Sequence, residues 1–175
     1  MNRASRRGLL LLGLAALTAL PASAQGDLLK QWASAVVTRS SEYGSSSWSA
    51  KQALGEPNTM TYGDRDTAWA PASRNGLEQS ITVAFAKPVY ATAVLVRQTF
   101  GNGFVRRIFA IDPGGTPHLV WSGKDTTQPG YTVNFIATFP KTSYLVRAVK
   151  VVIDPNHDPD AYEEIDAIAL HGYPQ

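Results

Sequence analysis

QSITVAFAKPVYATAVLVRQT, residues 79–99, is the stretch from which the fold can be read. In its first half Ile81, Val83 and Phe85 alternate with Ser80, Thr82 and Ala84, a period of two that lines one face of a strand. Val89 to Thr99 is rich in β-branched residues. Lys87-Pro88 separates the halves, and proline lacks the N–H a sheet ladder needs. The sequence therefore predicts two strands, 79–86 and 89–99. Working outward, Gly101-Asn102-Gly103 is a turn and Val105 to Asp112 a strand ending at Pro113-Gly114-Gly115. His118–Ser122, Tyr131–Phe139, Tyr144–Asp154 and Glu164–His171 follow as strands. On the N-terminal side, Trp32 to Arg39 reads as a strand and Ser40 to Ser49 as a Ser/Gly-rich loop. Ser49 to Leu54 reads as one helical turn, capped by Ser49 and stopped by Gly55 and Pro57. About eight short strands without a long helix predict an all-β, antiparallel sandwich or barrel.

Residues 1–24 stand apart. Arg3, Arg6 and Arg7 precede an apolar run from Leu9 to Leu20, and Ala22-Ser23-Ala24 forms a small-x-small cleavage site. A bilayer span needs about 20 apolar residues, so the segment is read as a cleaved signal with no stable membrane span afterwards. Ser5-Arg6-Arg7-Gly8-Leu9-Leu10 also resembles a twin-arginine signal, though the leucine-rich run suits general secretion better. The expected location is periplasmic or secreted, with residues 25–175 as one domain. The chain's net charge of +2 then becomes −1, because the signal carries three arginines and no acid. That balance argues against nucleic acid as a partner. The absence of cysteine excludes disulfides, thiol catalysis and cysteine-ligated zinc.

Two stretches concentrate acids. SAKQALGEPNTMTYGDRDTAWAP (49–71) holds Glu56, Asp64 and Asp66. DPNHDPDAYEEID (154–166) holds six acids and no Lys or Arg. Hard oxygen ligands at irregular spacing suit calcium better than zinc, while a solvated acidic loop is the plainer reading of the second. It does not match an EF-hand loop. Basic residues lie elsewhere: Lys87, Arg97, Arg106 and Arg107 fall in 79–111, which has no acid before Asp112. Phe100 and Phe104 flank the glycine turn, giving a loop with apolar tips and adjacent guanidinium groups. There is no Gly-x-Ser-x-Gly elbow and no His-Glu-x-x-His. A small glycosidase or lyase would need two carboxylates across a cleft, and nothing in the sequence places them. Glu78 and Asp125 read as strand-edge and turn residues.

The segments ALGEPN…YGDRDTAWAP, EQSITVAFAKPVYATAVLVRQT, VRRIFAID, HLVWSG and YEEIDAIALHGY together resemble a discoidin-like domain. This is the galactose-binding-like jelly roll related to coagulation-factor type C domains, in the variant found in pappalysin-type metalloproteases and bacterial surface proteins. The resemblance implies an antiparallel jelly-roll β-sandwich and a non-catalytic binding module. Its partner would be a glycan or an envelope protein, held by loops at one end. Those loops are 40–48, 58–65, 100–104 and 157–162, which offer Tyr43, Trp48, Tyr62, Phe100, Phe104 and Tyr162, with Arg97 and Arg106 beside them. Trp69 and Trp121 read as core. The resemblance also implies a structural calcium ion, held by the Ala53 carbonyl, Asn58 (or Glu56), Thr67 and Glu164. Gly55-Glu56-Pro57-Asn58 replaces the family's usual Asp-Gly-Asn, so closure of the loop by hydrogen bonds is the alternative.

Overall fold

The structure, a computed structural model, describes residues 26–175. The signal read at residues 1–24 lies outside them. Eight strands and one short 3₁₀ turn follow in order: β1 (Leu29–Trp32), β2 (Ala35–Arg39), the 3₁₀ turn (Ala50–Ala53), β3 (Gln79–Phe100), β4 (Val105–Ile111), β5 (Pro117–Ser122), β6 (Val133–Thr138), β7 (Leu145–Ile153) and β8 (Glu164–Tyr173). The protein is an all-β antiparallel sandwich.

The two strands expected on either side of Lys87-Pro88 are one strand of 22 residues. Proline is tolerated because the register slips between Ala84 and Val89, so Pro88 falls where no ladder bond is required. The Gln31 side chain takes the place of a strand neighbour there. It accepts from the Lys87 N–H at 3.1 Å and donates to the Lys87 carbonyl at 2.6 Å. Before the slip β3 pairs with β2 and β7, the β7 pairing carrying on past it to Val89–Val146 and Tyr90–Leu145, and β7 continues to β4 and β5. After it β3 pairs with β6 and β8, and β8 continues to β1. One strand thus serves both layers. Ile81, Val83 and Phe85 from its first half and Val94 and Val96 from its second enter one core with Ile108, Val151, Ile168 and Leu170.

The strand expected over 32–39 divides for a similar reason. Ala33 donates to Ile168 of β8, whereas Ser34 donates to Ala84 of β3, so the chain changes neighbours between β1 and β2. Ser49 does not cap the 3₁₀ turn with its side chain, and its buried hydroxyl has no partner. The Glu42 carboxylate caps instead, accepting from the Ala50 N–H at 2.9 Å. Trp69 is fully buried, as the sequence indicates. Its backbone exchanges hydrogen bonds with Ile165 at 2.8 and 3.0 Å, and its indole N–H donates to the Ser41 carbonyl. The long connection 54–78 is thereby fixed to the start of β8, where β8 also meets the end of β3 in the pair Phe100–Glu164.

Candidate functional site: an aromatic rim over buried carboxylates

At that end of the sandwich the loops 40–48, 58–65, 100–104 and 157–162 converge. Gly101 has φ of +62°, and a Cβ there would lie 2.5 Å from the Tyr162 carbonyl, so only glycine lets the 157–162 loop close on β3. Tyr43 packs edge-on against Trp48, with ring centroids 5.5 Å apart at 73°. It packs in the same way against Tyr162, at 5.4 Å and 72°. These three rings, Asp64 and Ala70 line a cavity of about 100 Å³. The Trp48 indole N–H donates to Asp64 Oδ1 at 2.8 Å. Beside them Tyr62 and Phe100 form another edge-on pair at 5.6 Å.

Not every residue assigned from the sequence lies on this rim. Phe104 is fully buried in the core, because the Gly101–Gly103 turn folds it inward; it is not a loop-tip aromatic. Arg97 lies along β6, donating to Thr132 Oγ1 at 2.8 Å and Asn134 Oδ1 at 3.3 Å. Arg106 is spent on the Gly103 carbonyl at 3.0 Å and on an ion pair with Asp154 at 3.3 Å. Asp125, read from the sequence as a turn residue, has a structural role inside the fold. It is buried and accepts from Gln98 at 2.5 Å and from Thr127 at 2.7 Å, which anchors the loop after β5 to the end of β3.

Beneath the rim three buried acids stand at the start of β8: Glu163 just before it, and Glu164 and Asp166 within it. The alternation of a strand puts Glu164 and Asp166 on one face, towards the 54–78 connection. Asn58, which the resemblance places with Glu164 around one calcium ion, is met directly by Asp166, one strand period further on. Asp166 Oδ1 accepts from the Asn58 and Thr59 N–H groups at 3.4 and 3.2 Å. Glu164 instead accepts from the Arg65 N–H with both oxygens at 3.2 Å and from the Thr99 hydroxyl at 3.3 Å. Burial, with Asp64 close by, raises its pKa to about 9. Glu164 therefore favours its protonated form over a wide range of pH in the absence of a cation. Glu163 is raised to about 8, first by burial and further by Asp154 and Asp158. Glu164 is closed off from the cavity, so Asp64 is the one carboxylate that faces it.

The calcium ligands implied by the resemblance are only partly assembled. Glu56 makes no hydrogen bond to these groups, and Glu164 is occupied by its own hydrogen bonds to Arg65 and Thr99. The oxygens that gather are the Asn58 side chain, the hydroxyls of Thr59 and Thr67, 2.7 Å apart, and Asp166. Asp166 Oδ2 is buried without a partner, and burial raises its carboxyl pKa. One carboxylate among neutral oxygens fits a hard cation. Among the described residues no three His, Asp or Glu side chains converge as a transition-metal site would require. Asp64 and Asp166 carry no motif of their own; the strand alternation of EID was the available signal for Asp166.

Comparison with known proteins follows this geometry. The sequence matches the family model described as "Pappalysin-1, SD scarf domain, C-terminal" over residues 22–175. No functionally curated protein matches it. Several solved structures share the fold. The family 32 carbohydrate-binding module of Clostridium perfringens NanJ, solved with galactose, has a TM-score of 0.59 at 17% identity, covering 82% of this chain and 99% of that one. XRCC1, solved bound to the DNA polymerase β catalytic domain, has a TM-score of 0.60 at 16% identity, covering 83% and 100%. A truncated AlyQ with family 32 module and alginate lyase domains has a TM-score of 0.58 at 16% identity; 86% of this chain is covered, and it spans 34% of that protein. At these identities the likeness is one of fold. The family match takes in the whole described sandwich, and the chain belongs to the pappalysin-1 SD scarf C-terminal domain family.

Proposed function

We propose that this protein is an exported, non-catalytic binding module that recognises a carbohydrate or cell-envelope ligand through the loops at one end of its sandwich. One observation carries the reading: Tyr43, Trp48 and Tyr162, from two separate loops, share one cavity with Asp64 from a third. Aromatic side chains presented at a rim by a rigid scaffold offer flat apolar faces to a sugar ring at small entropic cost. A single carboxylate facing the cavity supports binding over glycoside hydrolysis, which needs a pair. A protein partner would be favoured by one wide apolar patch. Among the exposed large apolar residues, Val37, Leu119 and Ile136 lie on three different strands, β2, β5 and β6. Export rests on the arginine-led apolar segment at residues 3–20.

A glycan array probed with the whole chain tests the reading. Saturable binding is expected to at least one glycan class, weakened on the order of ten-fold or more by Trp48→Ala, the loss typical of a central aromatic anchor. An array without signal, or one on which the variant binds as well as the parent, would overturn it. The calcium ion implied by the resemblance is retained in this proposal, with Asn58, Thr67 and Asp166 as its holders. It would supply positive charge to the buried Asp166 and tie the 54–78 connection to β8.

A further inference from the structure

The rim cavity is unusual in chemistry for a neutral sugar. Its lining carries one formal charge, the Asp64 carboxylate, and otherwise consists of three aromatic rings and an alanine. A neutral pyranose is held by several donors and acceptors matched to its hydroxyls; here the polar groups are one carboxylate and two phenols. The rings also do not form a single flat platform. Trp48 and Tyr162 each stand at 72–73° to Tyr43, so a compact convex group touches more than one ring. Aromatic faces attract a cation through their quadrupole, and a nearby carboxylate adds direct attraction.

The backbone supports a built site. Trp48 is the one non-glycine residue among those described with positive φ, at 53°. Such a conformation costs free energy and persists where the surroundings impose it. Here the Trp48 N–H donates to the Asp66 carbonyl at 3.0 Å and its carbonyl accepts from Ala70 at 3.2 Å. The strained residue is the one whose indole N–H holds Asp64 at the cavity wall.

We propose that the box formed by Tyr43, Trp48 and Tyr162, with Asp64 in its wall, is a cage for a substituted ammonium group carried by the ligand. This rests on the rim being the ligand site and names the chemistry it selects. Two sources present that group: amino sugars with a free amine, and trimethylammonium head groups.

The test follows the Trp48 indole N–H signal by NMR in the whole chain. Choline is titrated against its neutral tert-butyl isostere at constant ionic strength, and glucosamine against N-acetylglucosamine. Choline, glucosamine or both are expected to shift the signal saturably, on the order of ten-fold more tightly than the neutral partner. Which of the two binds better identifies the source. Asp64→Asn is expected to reduce that preference to the part the three rings supply. Because Asp64 also touches Glu164, Tyr162→Leu on a different loop supplies a second removal, with an unchanged melting temperature as its control. Equal binding of charged and neutral partners, no saturable shift, or Tyr162→Leu binding like the parent would overturn the cage. Neutral sugars that bind at Trp48 while both ammonium probes leave it unmoved would sink the cage and keep the glycan reading. A rim that responds to nothing would sink both.

Discussion

Trp48 and Glu164 lie at the two ends of one short relay. The indole holds Asp64, Asp64 faces Glu164, and Glu164 accepts from Arg65 and Thr99. The proton on Glu164 makes this arrangement dependent on pH. Its carboxyl is raised from an ordinary value of 4.5 to about 9, so between those values the folded chain holds a proton that the unfolded chain releases. Stability is therefore greatest below the lower value and is lost as pH rises towards the upper one. Glu163, raised to about 8, acts in the same direction. The melting temperature in chelator is expected to fall between about pH 5 and pH 9. Glu164→Gln should flatten that slope, because an amide can accept from Arg65 and donate towards Asp64 without titrating. A melting temperature that rises with pH over this range, or a variant with the parent's slope, would contradict the assignment.

At the scale of elements, the rim depends on how β3 ends. The strand runs to Phe100, turns at Gly101 and sends Phe104 into the core, which leaves the 157–162 loop resting directly on Gly101. Gly101→Ala would combine left-handed backbone with a clash against the Tyr162 carbonyl. The conformational part alone is about 1–2 kcal/mol. The expected result is a lower urea midpoint with unchanged m-value and weaker binding at the rim, since Tyr162 must move. A variant as stable as the parent would show that the loop does not bear on the turn. The slip at Ala84–Val89 is the other decisive local event, because without it one strand could not join two layers.

For the whole molecule, the question is how a chain without cysteine holds its longest connection in place. Trp69 in the core, its ladder with Ile165, and N–H groups donated to Glu164 and Asp166 do so from within. A cation at Asn58, Thr67 and Asp166 would add to them. Calorimetry is expected to show a melting temperature that falls in chelator and recovers with excess calcium; the mass-action gain is about 2.7 kcal/mol when the ion is at a hundred times its dissociation constant. Asp166→Asn should abolish the response. No shift on chelation would mean that hydrogen bonds alone close the connection.

The period-two pattern of Ile81, Val83 and Phe85, the turn glycines and the lack of a long helix determined an antiparallel β fold from the sequence alone, because alternation is a local property. The family resemblance and the four loops were also legible, from segments whose residues lie close together in the chain. What needed the tertiary structure were facts about distant pairs: that Gln31 shields Lys87, that Phe104 turns inward, that Asp166 rather than Glu164 faces Asn58, and that Asp64 meets Trp48. A strand pattern tells which side chains share a face. Which residue stands opposite is set by register and by the packing of the whole core, and those are decided only when the layers close.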